Sequence, residues 1–303
     1  MYRKPEKLLP GDRVGIFLAA SPIKEPFRTQ GLKIVSADLG FVPVEVDAPE
    51  SRHGLLARPP ERALADFQQF YQDDWIKALW AGRGGYGSNY LLPLLRRLRA
   101  TKPKVVIGSS DISGLLWYLL EHWRMVVFYG PMIYSTLAES RFERRQLLAT
   151  LAGDYGRMEI PGRVLTPGRA TGLAAGGCLT TLITLIGTPY LPRLDGRVLL
   201  LEDVNEKPYR LDRMFWQLRH SGLLNKVHGL LLGEFPGCFS SPDEKEAFWR
   251  DQRDHLPDSH IPMLFDMPFG HSQNCHTLPL GVKVRIDTDD FTGLIIEEKG
   301  VLE

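Results

Sequence analysis

The sequence predicts an α/β protein with a parallel sheet covered on both faces, followed by a second, smaller α/β unit with its own sheet. Three observations support this prediction. Short apolar runs alternate with helical patterns through the first half of the chain. Loops rich in small residues follow several of these runs, at the edge where parallel sheets gather their sites. A stretch rich in proline and glycine, 154–169, then interrupts the pattern and predicts a linker.

The first unit, 1–155, contains five predicted strands. These strands are 13–19, 41–46, 75–81, 105–107 and 124–129. Helical patterns lie between them and after the last one, where a helix at 141–151 closes the unit. We therefore predict an N-terminal domain at 1–155 and a linker at 156–169.

The second unit, 170–303, opens with a glycine-rich segment and an apolar helix. A strand at 197–201 ends at Glu202, and a helix follows from Pro208, a residue favoured at the first helical position. Further strands are predicted at 227–233, 281–287 and 293–298. We predict a C-terminal domain over 170–303.

Charge and composition exclude several classes of function. The chain has 37 basic and 36 acidic residues and no basic tract, so we expect no nucleic-acid partner. No apolar run reaches the roughly 18 residues of a membrane span, and the polar N-terminus does not resemble a signal peptide. The three cysteines, Cys178, Cys238 and Cys275, are widely spaced, which favours the cytoplasm and predicts no metal site.

Ser110 is the first candidate for a catalytic residue. The buried strand 105–107 runs into Gly108, Ser109, Ser110 and Asp111, and a helical pattern follows at once. A sharp strand-to-helix turn of this kind exposes a serine nucleophile and directs free helical N–H groups at its substrate. A serine or aspartate that caps a core helix is the alternative, and on this segment alone it is the more common arrangement.

The loop 82–87 satisfies the spacing Gly-x-Gly-x-x-Gly, which invites a nucleotide-binding interpretation. The required acidic residue about 20 positions later is missing, because the next strand leads into the Ser110 turn. A backbone N–H of this loop could instead stabilise an oxyanion. A tight loop without chemistry remains the other interpretation.

A serine nucleophile needs a base and a residue that orients the base. Glu202 at a strand end and His271 after a glycine supply both residue types, in the chain order found in α/β-hydrolases. His271, Cys275 and His276 match no standard zinc spacing. The acidic run 202–206 lacks the spacing of a calcium loop, and it could instead cap the next helix or pair with Arg210 and Arg213.

Taken together and in order, these motifs resemble the LD-carboxypeptidases of the serine-peptidase type. The resemblance covers nearly the whole chain and rests on short segments that are individually weak but specific as an ordered set. They are Leu9-Pro10-Gly11-Asp12, Gly82 to Gly87, Gly108 to Asp111, Gly176-Gly177, Gly187 to Tyr190, Leu201 to Val204, Pro208 to Arg213, and Gly270-His271.

The resemblance implies a cytoplasmic enzyme of peptidoglycan recycling that releases the terminal D-alanine of murein tetrapeptide and is often a homodimer. We expect it to need no cofactor. It implies a flavodoxin-like or amidotransferase-like N-terminal domain. By position, Ser110 matches the nucleophile, Glu202 the acidic member of the triad and His271 the base. The backbone N–H groups of Gly85 and Asp111 match the oxyanion hole. Gly84, Tyr86, Ser109 and Ser113 are the predicted substrate-binding residues.

Three positions depart from the family pattern and leave the substrate open. The family commonly has tyrosine at Ser109, asparagine at Cys178 and histidine at Tyr129. A related branch cleaves peptidyl-nucleotide antibiotics of the microcin C type with the same triad, so that activity is one alternative. A non-catalytic muropeptide-binding protein and a nucleotide-binding protein that uses the loop 82–87 are the others.

Overall fold

The computed structural model describes residues 2–47, 52–255 and 261–302. Two β-sheets and their flanking helices make up this part of the chain, which confirms the predicted α/β class. The first sheet has six strands and is mostly parallel, and the second has eight strands and is mixed.

The first sheet gathers the five strands predicted in the N-terminal half. These strands are β1 (Arg13–Phe17), β2 (Val42–Glu45), β3 (Ile76–Ala81), β4 (Val105–Gly108) and β5 (Val127–Tyr129). They pair in parallel in the order β5-β4-β3-β1-β2. Their carboxyl ends therefore meet at one edge, which brings the Ser110 turn after β4 beside the glycine-rich loop after β3.

Where the structure describes this half of the chain, it has five α-helices: α1 (Phe27–Lys33), α2 (Pro60–Gln72), α3 (Leu92–Leu95), α4 (Ser113–His122) and α5 (Arg144–Ala152). The apolar side of α2 packs on the sheet, where Phe67 meets Phe17 edge to face with ring centroids 5.4 Å apart. Helix α1 continues without a break into a π-helical turn at Ile34–Asp38.

The second half of the chain contains three α-helices and nine strands in the described residues. The helices are α6 (Leu179–Leu185), α7 (Pro208–His220) and α8 (Pro242–Asp254). The strands are β6 (Met158–Pro161), β7 (Arg163–Thr166), β8 (Arg169–Cys178), β9 (Arg197–Glu202), β10 (Gly229–Gly233), β11 (Met263–Met267), β12 (Leu278–Leu280), β13 (Lys283–Asp287) and β14 (Gly293–Ile296). All except β12 form the second sheet, in the order β6-β14-β13-β8-β9-β10-β11-β7.

The structure corrects the irregular linker predicted at 156–169. Most of this segment forms β6 and β7, which pair with β14 and β11 at opposite edges of the second sheet. Pro161 and Gly162 suggested a loop, but proline is tolerated on an edge strand, where its missing N–H faces away from the sheet. In addition, β12 leaves the second half and pairs antiparallel with β5, so the two sheets do not divide the chain at the predicted linker.

Helix α4 lies between the two halves of the molecule. Its residues 113–120 are all buried, as expected for a helix that is apolar on every side. It packs against β4 and β5 of the first sheet and against β8 and α6 of the second half. Trp117 fixes this contact by donating a hydrogen bond of 2.6 Å from its indole nitrogen to the carbonyl of Gly176. The helix that follows Ser110 is therefore held by both halves.

Among the described residues, no helix is long and apolar enough to cross a bilayer.

Candidate active site

Ser110 occupies a strained turn between β4 and α4. Its φ angle is 56°, in the left-handed region that residues with a side chain seldom adopt. A one-turn 3₁₀ helix, Ser110–Ile112, starts at this residue and leads into α4. Gly108 allows the turn, since a Cβ at that position would lie 2.6 Å from Cγ2 of Ile112. Backbone strain of this kind persists where surrounding contacts hold it, and it is common at functional sites.

Glu202 and His271 form a hydrogen-bonded pair beside this turn. Glu202 is the last residue of β9 and is fully buried, and His271 lies in the loop between β11 and β12. The Nδ1 atom of His271 is 2.6 Å from Oε2 of Glu202, and the backbone N–H of His271 also donates to Oε2 at 3.3 Å. A carboxylate can only accept, so Nδ1 carries the proton and Nε2 is left free as a base.

A glycine makes this pairing possible. Gly270 precedes His271 with a φ of 75°, and a Cβ there would lie 2.4 Å from Cδ of Glu202. Any side chain at this position would therefore displace the carboxylate from His271.

The charges of the pair reinforce each other. Burial disfavours the ionised carboxylate, but His271 and further hydrogen-bond donors outweigh this effect and lower the pKa of Glu202. Burial likewise disfavours the imidazolium, but the Glu202 carboxylate outweighs it and raises the pKa of His271 above its ordinary value. Glu202 therefore stays ionised and stabilises positive charge on His271.

Tyr129, at the end of β5, connects this pair to the Ser110 turn. Its hydroxyl donates to Oε1 of Glu202 at 2.5 Å and accepts the backbone N–H of Ser110 at 3.1 Å. The ring is completely buried, and burial together with the nearby carboxylate raises the pKa of Tyr129, so the hydroxyl keeps its proton. From the sequence, this position is only a departure from the family pattern, and the role of the tyrosine is not predicted. The change of residue type was the available signal, but sequence spacing could not reveal the contact.

Ser110 and His271 line one cleft of about 850 Å³ between the two halves of the molecule. Gly84, Gly85, Tyr86 and Asp111 line it as well. Their loops lie at the carboxyl ends of strands in both sheets. Ser110 Oγ and His271 are not hydrogen-bonded to each other in the described chain, and such bonds often tighten only when substrate binds.

The loop after β3 approaches Ser110 closely. A Cβ at Gly84 would lie 3.2 Å from Oγ of Ser110. Ser21, from the loop after β1, fixes the glycine loop by accepting the Tyr86 N–H at 3.1 Å and donating its own N–H to Gly84 O at 3.3 Å. Within the described residues, the backbone N–H of Gly85 has no hydrogen-bond acceptor, and that of Asp111 lies in the first turn of its helix, where N–H groups have no intrahelical partner. Both are therefore available to an oxyanion formed above Ser110.

Two predicted substrate-binding residues do not line the cleft. Ser109 and Ser113 are 2% and 0% exposed, respectively. Ser113 Oγ donates to the Ser110 carbonyl at 2.6 Å and accepts the Cys178 N–H at 3.0 Å. Its hydroxyl therefore joins the nucleophile turn to the end of β8. The contact joins segments 65 positions apart, so local sequence could not predict it.

The other chemistry-bearing residues have different partners. Glu206 lies 3.5 Å from Arg210, as the pairing alternative predicts. Asp203 does not cap the next helix, α7, because it accepts instead from the N–H and hydroxyl of Thr180 at the start of α6. Cys178 borders the cleft, but burial raises the pKa of its thiol well above the ordinary value, so it is a poor nucleophile. In the described chain no three histidine, cysteine or acidic side chains group as metal ligands would.

Two family models and several known proteins match most of the chain. Residues 14–130 match the family model of the LD-carboxypeptidase N-terminal domain, and residues 171–286 match that of the C-terminal domain. The murein tetrapeptide carboxypeptidase of Pseudomonas aeruginosa is 33% identical over 77% of this chain and 79% of the relative. The microcin C7 self-immunity protein MccF of Escherichia coli is 26% identical over 95% of this chain and 94% of the relative.

A solved structure shows the same fold over most of its length. The muramoyltetrapeptide carboxypeptidase from Oxalobacter formigenes superimposes with a TM-score of 0.81 and 27% identity, covering 94% of this chain and 99% of that chain.

Proposed function

Because the chain belongs to the LD-carboxypeptidase family, as its motifs predict, we propose that it is a serine peptidase that cleaves an L,D-peptide bond. The substrate we propose is murein tetrapeptide, from which the enzyme releases the terminal D-alanine. The observation that supports this most strongly is the shared cleft, in which Ser110 on a strained turn faces the same space as a Glu202-paired His271.

In this mechanism Ser110 Oγ attacks the carbonyl of the scissile amide while His271 Nε2 takes its proton. The imidazolium that forms is stabilised by Glu202, whose buried negative charge already raises the pKa of His271. The oxyanion accepts hydrogen bonds from the N–H groups of Gly85 and Asp111, and each donor contributes about 3 kcal/mol to the transition state. His271 then protonates the leaving amine, and a water activated by the same histidine releases the acyl-enzyme.

Two further features belong to the proposal. All three cysteines are free thiols and buried, which fits a reducing cytoplasm and a role in peptidoglycan recycling. We also propose a homodimer, which sedimentation of the purified protein would test.

A second candidate is hydrolysis of a peptidyl-nucleotide. Tyr86 and Tyr90 line the cleft, are each 50% exposed, and their hydroxyls lie 3.0 Å apart. Exposed aromatic rings at a cleft can stack on a nucleobase. The similarity to MccF covers nearly the whole chain and supports testing this candidate in parallel.

The experiment compares three substrates with the purified protein. They are L-Ala-γ-D-Glu-meso-diaminopimelate-D-Ala, the same peptide ending in L-alanine, and a peptidyl-adenylate. We expect mass spectrometry to detect tripeptide and alanine from the first substrate and much slower release from the second. Preferred turnover of the peptidyl-adenylate would favour the second candidate. Binding of the tetrapeptide without any product would instead identify a non-catalytic binding protein.

A further inference from the structure

The cleft contains charged side chains of both signs, and most of them already have hydrogen-bond or ion-pair partners within the protein. Asp203 is held by Thr180, and Glu206 lies beside Arg210. Asp111 accepts the backbone N–H of Ser88 at 2.8 Å. None of these carboxylates pairs with either of the two arginines that border the cleft, Arg83 and Arg141.

The two arginines differ in their partners. Arg141 forms an ion pair with Glu139 and donates to the carbonyl of His271 at 3.0 Å. Arg83 donates from Nη1 to the carbonyl of Pro22 at 2.8 Å and has no acidic partner in the described part of the chain. Arg83 therefore brings an uncompensated positive charge to the cleft.

The position of Arg83 relates this charge to the reacting groups. The residue lies two positions after the end of β3 and is partly buried, and burial lowers the pKa of its guanidinium. Its Nη2 atom is 3.9 Å from where a Cβ would stand on Gly85, the residue whose N–H donates to the oxyanion in the proposed mechanism. A partly buried cation without a counter-charge is costly unless a ligand supplies the anion.

We propose that Arg83 binds the carboxylate of the residue that leaves after cleavage, an inference that rests on the proposed peptidase function. In a C-terminal residue this carboxylate is attached to the carbon next to the scissile nitrogen. An arginine beside the oxyanion loop is therefore within reach of it. A guanidinium can donate two parallel hydrogen bonds to a carboxylate, and Arg83 still has Nη2 and Nε to donate. Such a contact favours a terminal residue over an internal one, which has no free carboxylate at this position.

The test compares the tetrapeptide that ends in a free carboxylate with the same peptide ending in a carboxamide. For the wild-type protein we expect kcat/KM to favour the free acid. Arg83→Met should reduce the ratio of kcat/KM for the acid to kcat/KM for the amide about 10- to 100-fold, the range expected for a charge-assisted hydrogen bond. The change should come mainly from a lower kcat/KM for the acid. Arg83→Lys keeps the positive charge but cannot donate two parallel hydrogen bonds. Its acid-to-amide ratio should therefore lie between those of the wild type and Arg83→Met. Arg97→Met removes an exposed arginine outside the cleft and should leave the ratio unchanged.

Other outcomes would overturn the assignment. An unchanged ratio in active Arg83→Met would refute it, and loss of the ratio in Arg141→Met alone would transfer the role to Arg141. A phosphoryl group after the scissile bond would present similar anion chemistry. If Arg83→Met loses cleavage of the peptidyl-adenylate but still prefers the free acid to the carboxamide, Arg83 binds the phosphoryl group instead of the carboxylate.

Calorimetry separates this inference from the proposed function. Ser110→Ala should bind the acid at least about 10-fold more tightly than the amide, and Arg83→Met in that background should abolish the difference. This binding arm tests Arg83 even if the wild-type protein cleaves neither peptide.

Discussion

Replacing Tyr129 with phenylalanine removes a single hydroxyl and breaks two hydrogen bonds at once. Glu202 loses the donor to its Oε1 atom, and the N–H of Ser110 loses its acceptor. The ring itself stays in place, since phenylalanine fills nearly the same volume. Tyr129→Phe therefore isolates the link between the triad carboxylate and the nucleophile turn.

The structure allows the size of this effect to be estimated. A hydrogen bond to a charged group contributes about 1.5–3 kcal/mol, and a buried N–H without a partner costs about 1–3 kcal/mol. The two bonds share one hydroxyl and are not additive, so we expect the free energy of unfolding to fall by about 2–4 kcal/mol. This loss is smaller than the total stability of most domains, so the variant should still fold.

The pH dependence of the variant has a defined sign. Without the Tyr129 donor, the negative charge of Glu202 is less stabilised and pairs more strongly with protonated His271. The pKa of His271 should therefore rise further. Because the base must be neutral to act, the acid limb of kcat/KM should move to higher pH, by about 1 unit if about 1.4 kcal/mol of interaction is redistributed.

Urea unfolding and the pH profile of D-alanine release measure these two effects. Tyr155→Phe is the matched control, because its hydroxyl also accepts a backbone N–H, from Gly300, and donates to the carbonyl of Glu298. The control should lose stability but keep the wild-type pH profile. A Tyr129→Phe variant with unchanged stability and an unchanged pH profile would refute the role assigned to this hydroxyl.

Two further substitutions test the same site. Glu202→Gln removes the charge that raises the pKa of His271, so the acid limb of kcat/KM should move to lower pH. The same change should lower kcat by about 10³- to 10⁴-fold. A shift of the acid limb to higher pH would contradict the pairing of Glu202 with His271. Gly84→Ala would place a carbon 3.2 Å from Ser110 Oγ and should lower kcat/KM at least about 10-fold with little change in thermal unfolding. Gly156→Ala, whose added carbon meets no atom within 4 Å, is its control, and equal activity of the two variants would argue against the close approach at Ser110.

The sequence predicts the parts of this structure that depend on local pattern. Alternating strands and helices predict the parallel sheet and place the loop 82–87 and Ser110 at one of its edges, as observed. The strand that ends at Glu202 is also predicted from its apolar run. Each of these features follows from contiguous residues and from the rule that parallel strands share the direction of their ends.

The remaining features depend on contacts between segments far apart in the chain. Nothing local distinguishes β12, which joins the first sheet although the residues around it belong to the second. Ser113 and Tyr129 are side chains whose partners lie 65 and 73 positions away, and only the packing of the two halves brings them together. Arg83 is conspicuous only when the partners of every charged residue in the cleft are known.

Release of D-alanine from the tetrapeptide by Ser110→Ala is the most direct test of a serine mechanism. With wild-type thermal unfolding as the criterion of folding, turnover in this variant should fall by at least about 10³-fold. Cys178→Ser, which changes a buried thiol at the border of the same cleft, should keep most of the activity. Near-normal turnover by Ser110→Ala would contradict the mechanism, and an inactive Cys178→Ser beside an active Ser110→Ala would identify a cysteine nucleophile instead.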